Sequence, residues 1–477
     1  MQPTSHAFKD GAARGIANPD LQRALLKLKN DFRAKRIQVV ERLPEFEALR
    51  DEARDLKNHV LANLDYYLER FEDNVAKSGG RVHWCATAAE ARDAVLAICR
   101  EAGARTVTKG KSMIGEEIAL NDHLEANGIR AVETDLGEYV IQLRGEPPSH
   151  ITAPAVHLVK RQWTETFRAH HAAPGLAPDR KLDEPREILD EARAMLRRSF
   201  FSAEVGITGA NFLIAETGST VIVTNEGNGD LTQTLAGTHI VLASIEKIVP
   251  TLEDAMTLIR VLARSATAQE ITAYTTFSTG PRRAGDVDGP AAFHVVLLDN
   301  GRSELLGGEF REILRCIRCG ACQSLCPVYG AIGGHAYGWV YAGPVGAVLT
   351  PALVGLKEAY HLPEASSFCG ACESVCPMRI PLPALMRRWR EQAFERRIAP
   401  AKQRLAIRLW AFAAQRPRLY RLGARIAAGL LGALGRRKGR FRTLPLARGW
   451  TAARDFPAPA GRTFMDQWAH RQRARRT

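Results

Sequence analysis

The sequence predicts an α/β domain on a parallel sheet, preceded by a helical arm and followed by an α-helical, cysteine-rich domain with a basic helical or extended tail. Three observations carry this prediction. Strand-like and helix-like segments alternate over residues 80–303, the pattern that lays helices on the faces of parallel strands. Strand patterns stop over 304–386, where seven of the nine cysteines gather. Residues 387–477 carry 24 Lys and Arg against 4 Asp and Glu, so the total of +14 sits in the tail and leaves the rest mildly acidic.

The 477 residues are 45% hydrophobic and 25% charged, ordinary for globular chains and enough for two to four folded units at roughly 100–200 residues each. The polar start MQPTSHAFKDGAARG does not resemble a secretory leader, so a cytoplasmic location is expected. The most apolar tail segment, IAAGLLGALG from Ile426, is about half the ~20 residues of a spanning helix. Nine cysteines in such a chain argue against a disulfide framework. Cys85 and Cys99 read as buried, inert thiols.

In order along the chain, residues 1–79 form the arm, with leucines and aromatics recurring every three or four positions over 20–77 and Gly79-Gly80 as a stop. RVHWCA, TVTKGK and AVETD read as strands separated by the helices TAAEARDAVLAICREAG and SMIGEEIALNDHLEANG. The polar stretch HAAPGLAPDRKLDEP, from His171, interrupts the pattern. A helix at PREILDEARAMLRRSFFSA resumes it, followed by ETGSTVIVTNEGN as a hairpin, THIVLASIEKIVP, the helix TLEDAMTLIRVLARSA and the strand AFHVVLLDNG. In the cysteine-rich domain Pro344 and Pro351 suit helix starts. The tail mixes Trp389, Trp410 and Tyr420 with arginines, read as helix packing with a solvated basic face. No nucleic-acid partner is expected, and peripheral membrane contact stays open.

CIRCGACQSLCPVYG begins at Cys316 and CGACESVCPMRIP at Cys369. Three thiolates with two-residue gaps reach three irons of a cubane, while the cysteine after a three-residue gap is sent to a neighbouring cluster. Crossing the ligands this way assigns Cys316, Cys319, Cys322 and Cys376 to one cluster and Cys326, Cys369 and Cys372 to another. Two iron-sulfur clusters, most simply 4Fe-4S, therefore share seven thiolates. The position of the missing eighth is Ser366. It ligates as an alkoxide, or a partner or small ligand closes that corner, or the cluster is 3Fe-4S; a cubane with one non-protein corner is favoured. A packed run ending in Cys-Pro suits structural zinc poorly.

In TVTKGKSMIGEE, Lys109, Lys111 and Ser112 stand where a strand gives way to a helix, a place for an anion. Ser112 equally serves as an N-cap there. Glu216 follows a strand and Glu226 closes a turn, with Glu133 and Asp135 as further carboxylates for a cleft; turn geometry alone also explains Glu226. His150 and His157 read as turn or packing histidines.

These residues together resemble the lactate utilization protein B family, through KGKSMIGEE, ETDLGEYVIQL, GITGANFLIAETGS, TNEGNGD, both cysteine motifs and HAYGWVYAGPVGAVLTP. The resemblance implies a lactate-utilization domain of the sugar-isomerase and CoA-transferase type and a ferredoxin-type domain. It implies two partners, a cysteine-rich subunit of the heterodisulfide-reductase type and a smaller subunit repeating the α/β domain. It also implies a complex oxidising L-lactate to pyruvate, and a three-cysteine second motif common to the family. Clusters pass single electrons whereas lactate yields a hydride equivalent, so the chain is expected to be an electron-transfer subunit rather than the site of chemistry. Were the cleft to bind lactate, Lys109 or Lys111 would pair its carboxylate and Glu216 or Glu226 would take its proton. The rival expectation is an iron-sulfur scaffold or redox sensor whose basic tail binds a partner or an acidic surface.

Overall fold

The computed structural model describes residues 3–171, 177, 180–444, 447–451 and 454–475. Part of the polar stretch from His171 and parts of the tail lie outside them. The chain forms two compact units, Met1–Ala393 and Phe394–Thr477.

The first unit is organised by a six-stranded, all-parallel sheet. Its strands are β1 (Arg81–Cys85), β2 (Thr106–Gly110), β3 (Arg130–Glu133), β4 (Val205–Thr208), β7 (Thr238–Ser244) and β10 (Ala292–Leu298), in the order β1-β10-β7-β4-β2-β3. The central strands are apolar on both faces because both are covered, as a parallel sheet requires. One face packs Val107, Ile207, Ile240 and Val296 against Val95, Leu96 and Cys99 of the helix Ala88–Glu101. The other packs Val241, Ala243, Val295 and Leu297 against Leu64, Leu68, Phe71 and Val75 of Leu64–Lys77. Cys85 and Cys99 are buried, which pushes their thiols up to about 11 and about 12.

A smaller sheet, β8-β5-β6-β9, comprises β5 (Phe212–Ile214), β6 (Ser219–Thr224), β8 (Ile248–Val249) and β9 (Tyr274–Ser278). The hairpin read from ETGSTVIVTNEGN turns at its first end only, where β5 and β6 pair antiparallel. At the second end Gly227, with φ +74°, opens the helix Asn228–Leu235. SMIGEEIALNDHLEANG likewise makes two helices, Met113–Glu117 and Leu120–Ala126, broken by Ala119 at φ +54°.

The arm is integral to this unit. Its helices Phe8–Ala17, Pro19–Lys27, Arg33–Glu41, Phe46–Ala62 and Leu64–Lys77 reach both the sheet and the cysteine-rich region. Lys57, fully buried, donates to Ile248 O at 3.2 Å, and Arg50 donates to Ser374 O at 2.8 Å and Cys376 O at 2.7 Å. Among the described residues, 304–386 holds helices and turns without a strand. Pro344 starts the helix Gly343–Val354 as expected, whereas Pro351 lies inside it. The helix Leu382–Glu395 carries the first unit beyond residue 386: Trp389 stacks on Phe310 at 3.6 Å and donates to Val348 O at 2.9 Å.

The second unit contains the helices Ala401–Ala414, Pro417–Gly435 and Phe464–Ala474. Trp410 and Tyr420 are 66% and 52% exposed, so the packing expected of them holds for Trp389 alone. Among the described residues no helix is long and apolar enough to cross a membrane.

The helix Asn228–Leu235 rests on β4 because Gly206 has no side chain: a Cβ there would meet Thr232 O at 1.8 Å. Gly206→Ala is expected to lower unfolding stability by about 1–3 kcal/mol in chemical denaturation, as overpacked sites do, while Gly237→Ala, with only Glu204 O at 3.8 Å, leaves it nearly unchanged.

Candidate metal centres and the adjoining cleft

The carboxyl ends of β2, β3, β4 and β7 converge on one cleft, and strand order reverses between β4 and β2, the place where open α/β sheets collect ligands. A cavity of about 220 Å³ occupies it, lined by Lys111, Ser112, Asp135, Glu138, Asn211 and Glu226 on one side and by Ile151, Lys247, Arg318 and Tyr341 on another. Gly209 closes the end of β4 tightly, since a Cβ there would stand 2.4 Å from Lys111 O.

The structure separates the candidates of this cleft. Lys109 is fully buried between Glu116 at 2.8 Å and Glu133 at 2.7 Å; burial opposes its charge, but these carboxylates hold its pKa well above the usual lysine value. It does not line the cavity. Lys111 pairs with Asp135 and, at 3.3 Å, with Glu226. Ser112 acts as the N-cap, accepting from Gly115 N–H at 3.0 Å. Glu216 is exposed at the β5-β6 turn, does not line the cavity and caps Leu252 N–H at 3.4 Å. Expecting Glu216 in the cleft is therefore wrong: the hairpin carries it away from the carboxyl ends of the large sheet. Glu138, not singled out in the sequence, receives Lys111 N–H at 3.1 Å, and burial beside Glu133 and Asp135 raises its pKa well above the usual carboxylate value. His150 touches Ser324 Oγ at 3.3 Å and His157 bonds Glu146 at 2.8 Å, both packing roles.

Beneath the cleft runs a chain of buried charges that sequence patterning does not reveal. Arg302, after β10, holds Glu117 through two donors at 3.0 and 2.7 Å. Tyr341 donates to the same carboxylate at 2.6 Å. Arg302 Nε lies 3.1 Å from Glu246, after β7, whose other oxygen is 3.1 Å from Arg318 Nη2. Burial raises the Glu246 carboxyl, yet Arg302 and Arg318 hold it down to about 2. The chain links the sheet to the loop between Cys316 and Cys319.

The seven cysteines of the two motifs line two cavities. Cys316, Cys319, Cys322 and Cys376 line one, walled by Ile151, Val345, Met378 and Ile380. Cys326, Cys369 and Cys372 line the other, with Ser366 and Ser367. The two loops repeat one backbone device: Arg318 and Gly320 flank Cys319 with φ of +59° and +70°, and Phe368 and Gly370 flank Cys369 with φ of +53° and +79°. Each curl ends in a short helix, Ala321–Ser324 or Ala371–Val375. In this repeat Ser366 occupies the place of Cys316; its Oγ accepts from Phe368 N–H at 3.1 Å. Backbone N–H groups of Tyr329 and Ile380 approach the Cys326 and Cys376 sulfurs at 3.5 Å, the outer bonds that iron-sulfur thiolates receive. Burial and mutual repulsion push the Cys319 and Cys376 thiols up to about 12 and about 11, so four thiolates coexist there only around a cationic centre. The all-sulfur donor set with its N–H groups fits an iron-sulfur cluster.

Family models match the chain in three consecutive stretches: a LUD domain over residues 68–298, a 4Fe-4S dicluster domain over 312–380, and the C-terminal region of lactate utilisation protein B over 395–473. Lactate utilization protein B of Bacillus subtilis (strain 168) is 41% identical over 479 residues, covering 100% of this chain and 99% of the relative. The protein of that name from Geobacillus thermodenitrificans (strain NG80-2) is 44% identical over 476 residues, covering 99% and 98%. The chain belongs to the lactate utilization protein B family. Membership establishes a role in lactate utilization and an iron-sulfur region of the 4Fe-4S dicluster type beside the α/β domain. A crystal structure of a DUF162 family protein from Deinococcus radiodurans aligns at 16% identity over 49% of this chain and 98% of its own, with a TM-score of 0.25, too low to carry an argument.

The family motifs KGKSMIGEE and HAYGWVYAGP now have physical content, because they supply Glu117 and Tyr341 to the buried charge chain. Arg302→Met would leave Glu117 buried and unpaired. Its expected cost is about 3–5 kcal/mol in chemical denaturation, the range for breaking a buried pair.

Proposed function

We propose that the chain is the iron-sulfur electron-transfer subunit of a complex that oxidises L-lactate to pyruvate, with one cluster held by Cys316, Cys319, Cys322 and Cys376 and a second by Cys326, Cys369 and Cys372. The observation that carries this reading is the order of the cavities. The α/β cleft and the Cys316 cavity share Ile151 and Arg318 as walls, while the other cavity reaches the surface at the exposed Cys369. Electrons enter beside the cleft, pass between the adjoining cysteine loops and leave at the surface. When bound, the clusters supply single-electron transfer. The protein's own part is to position the thiolates, donate N–H bonds to sulfur and surround the inner loop with Arg36, Arg50, Arg318 and Lys247, cations that favour the reduced state.

The corner at Ser366 is closed by a non-protein ligand or by a partner. The two-electron step on lactate belongs to a partner carrying a two-electron acceptor. The partners are a cysteine-rich subunit of the heterodisulfide-reductase type and a smaller subunit with a second lactate-utilization domain, and the α/β domain is of the sugar-isomerase and CoA-transferase type. The complex works in the cytoplasm.

Iron and acid-labile sulfide counts with anaerobic EPR test this reading. Two reduced 4Fe-4S signals are expected; Cys319→Ala abolishes one, Ser366→Cys alters only the other, and L-lactate reduces both in the assembled complex. Tightly bound zinc without sulfide overturns it.

A further inference from the structure

In the second unit, the helix Pro417–Gly435 is turned the wrong way round for a helix in water. Its two buried residues are Gly432 and Gly435, which lie close against the segment after the short strand Phe456–Pro457. A Cβ on Gly432 would stand 2.7 Å from Gly461 Cα, and one on Gly435 2.4 Å from Ala458 Cβ. The leucines are left outside. Leu419, Leu422, Ile426, Leu430 and Leu434 recur every three or four positions and so share one face, and each is between 42% and 70% exposed. A soluble helix buries such a stripe and keeps its polar residues outward. Contiguous apolar surface of this kind marks an interaction site.

The charge around the stripe narrows what covers it. Residues 396–454 hold 16 Lys and Arg and no Asp or Glu. Arg418, Arg421 and Arg425 lie on the stripe's own helix. Arg425 is held by Asp466 at 2.9 Å, whereas among the described residues no ion pair or hydrogen bond engages the side chain of Arg418 or Arg421. The core of a protein–protein interface is depleted of charge, which argues against a protein partner on this face. Nucleic acid would match the cations but offer nothing to the leucines. Anionic headgroups above acyl chains match both at once. Trp410 and Trp468, exposed on the neighbouring helices Ala401–Ala414 and Phe464–Ala474, are of the residue type that settles at headgroup level. With its arginines, the helix is not apolar enough to cross a bilayer and lies in the plane of one.

We propose that the helix Pro417–Gly435 is a docking face for an anionic phospholipid surface. Its leucine stripe enters the boundary between headgroups and acyl chains, and Arg418, Arg421 and the surrounding cations face the lipid phosphates. The docking makes and breaks no bond. It rests on the second unit alone, so its failure leaves the electron-transfer reading untouched.

Co-sedimentation of the full, cluster-loaded chain with vesicles tests the face. One set is phosphatidylcholine alone, the other phosphatidylcholine and phosphatidylglycerol in equal parts. The chain is expected to bind the anionic set about tenfold or more tightly than the neutral one, and less as salt is added. Arg418→Gln combined with Arg421→Gln weakens that binding about tenfold or more, at roughly fivefold for each cation near an anionic surface. Leu422→Gln combined with Ile426→Gln weakens it about tenfold or more through lost apolar burial. All four side chains are exposed, so the variants are expected to keep the parent's circular dichroism and cluster signals. Failure to sediment with anionic vesicles, equal binding to both sets, or unchanged affinity in the Leu422 and Ile426 variant overturns the proposal. Tighter binding to duplex DNA than to anionic vesicles overturns it too, and assigns the tail to nucleic acid.

Discussion

Glu117, Arg302, Glu246 and Arg318 form one uninterrupted run of alternating charge through the interior, and the relation of the sheet to the cysteine loop depends on it. Removing each ion from water costs several kcal/mol, which only close, well-aligned partners return. The run meets that condition by alternating sign and by adding Tyr341 as a donor to Glu117. Its members come from four places: the helix after β2, the turn after β10, the turn after β7 and the loop between Cys316 and Cys319. Misplacing any one strands an opposite charge, so the geometry tolerates little sliding of the cysteine loop over the sheet. An apolar contact of equal area would stabilise the same junction without fixing its register as sharply.

The opposite side of the cysteine region is held by the arm. Arg36 donates to Val375 O at 3.0 Å, and Arg50 forks onto the carbonyls of Ser374 and Cys376. The second cysteine motif is therefore gripped through its backbone while its thiol faces the cavity. This explains why the arm belongs to the same compact unit as the sheet although its sequence reads as a separate charged helical stretch. It also places two further cations near the inner cavity, the same sign as Arg318 and Lys247.

How much was legible follows from the range of each signal. The sheet strands were readable because both faces are buried, which gives short apolar runs bounded by turns, and the cysteine groups because ligand spacing is local. The buried charge run was not readable: Glu117 looks like an ordinary first-turn acid and Arg302 like any loop arginine, and only the tertiary fold makes them partners. KGKS suggested an anion site because strand-to-helix turns often bind one, yet the fold supplies carboxylates from β3 and neighbouring turns to both lysines. Glu216 and Glu226 flank one predicted hairpin, and the sequence could not say that only Glu226 returns to the cleft. Pro351 suits a helix start because proline is costly inside helices, yet the helix Gly343–Val354 runs through it.

The count of seven thiolates acquires a reason from where the eighth would stand. The two loops share one backbone curl, so Ser366 is the positional equivalent of Cys316. The equivalence ends at exposure. Cys319 and Cys376 are 8% exposed and Cys316 and Cys322 half-buried, in a cavity walled by apolar side chains that brings four cysteines together. Cys369 is exposed, and the cavity beside it is edged by Ser366 and Ser367. A position left open is useful only where something can approach it. The missing thiolate lies on that accessible side, where the proposed electron path would end.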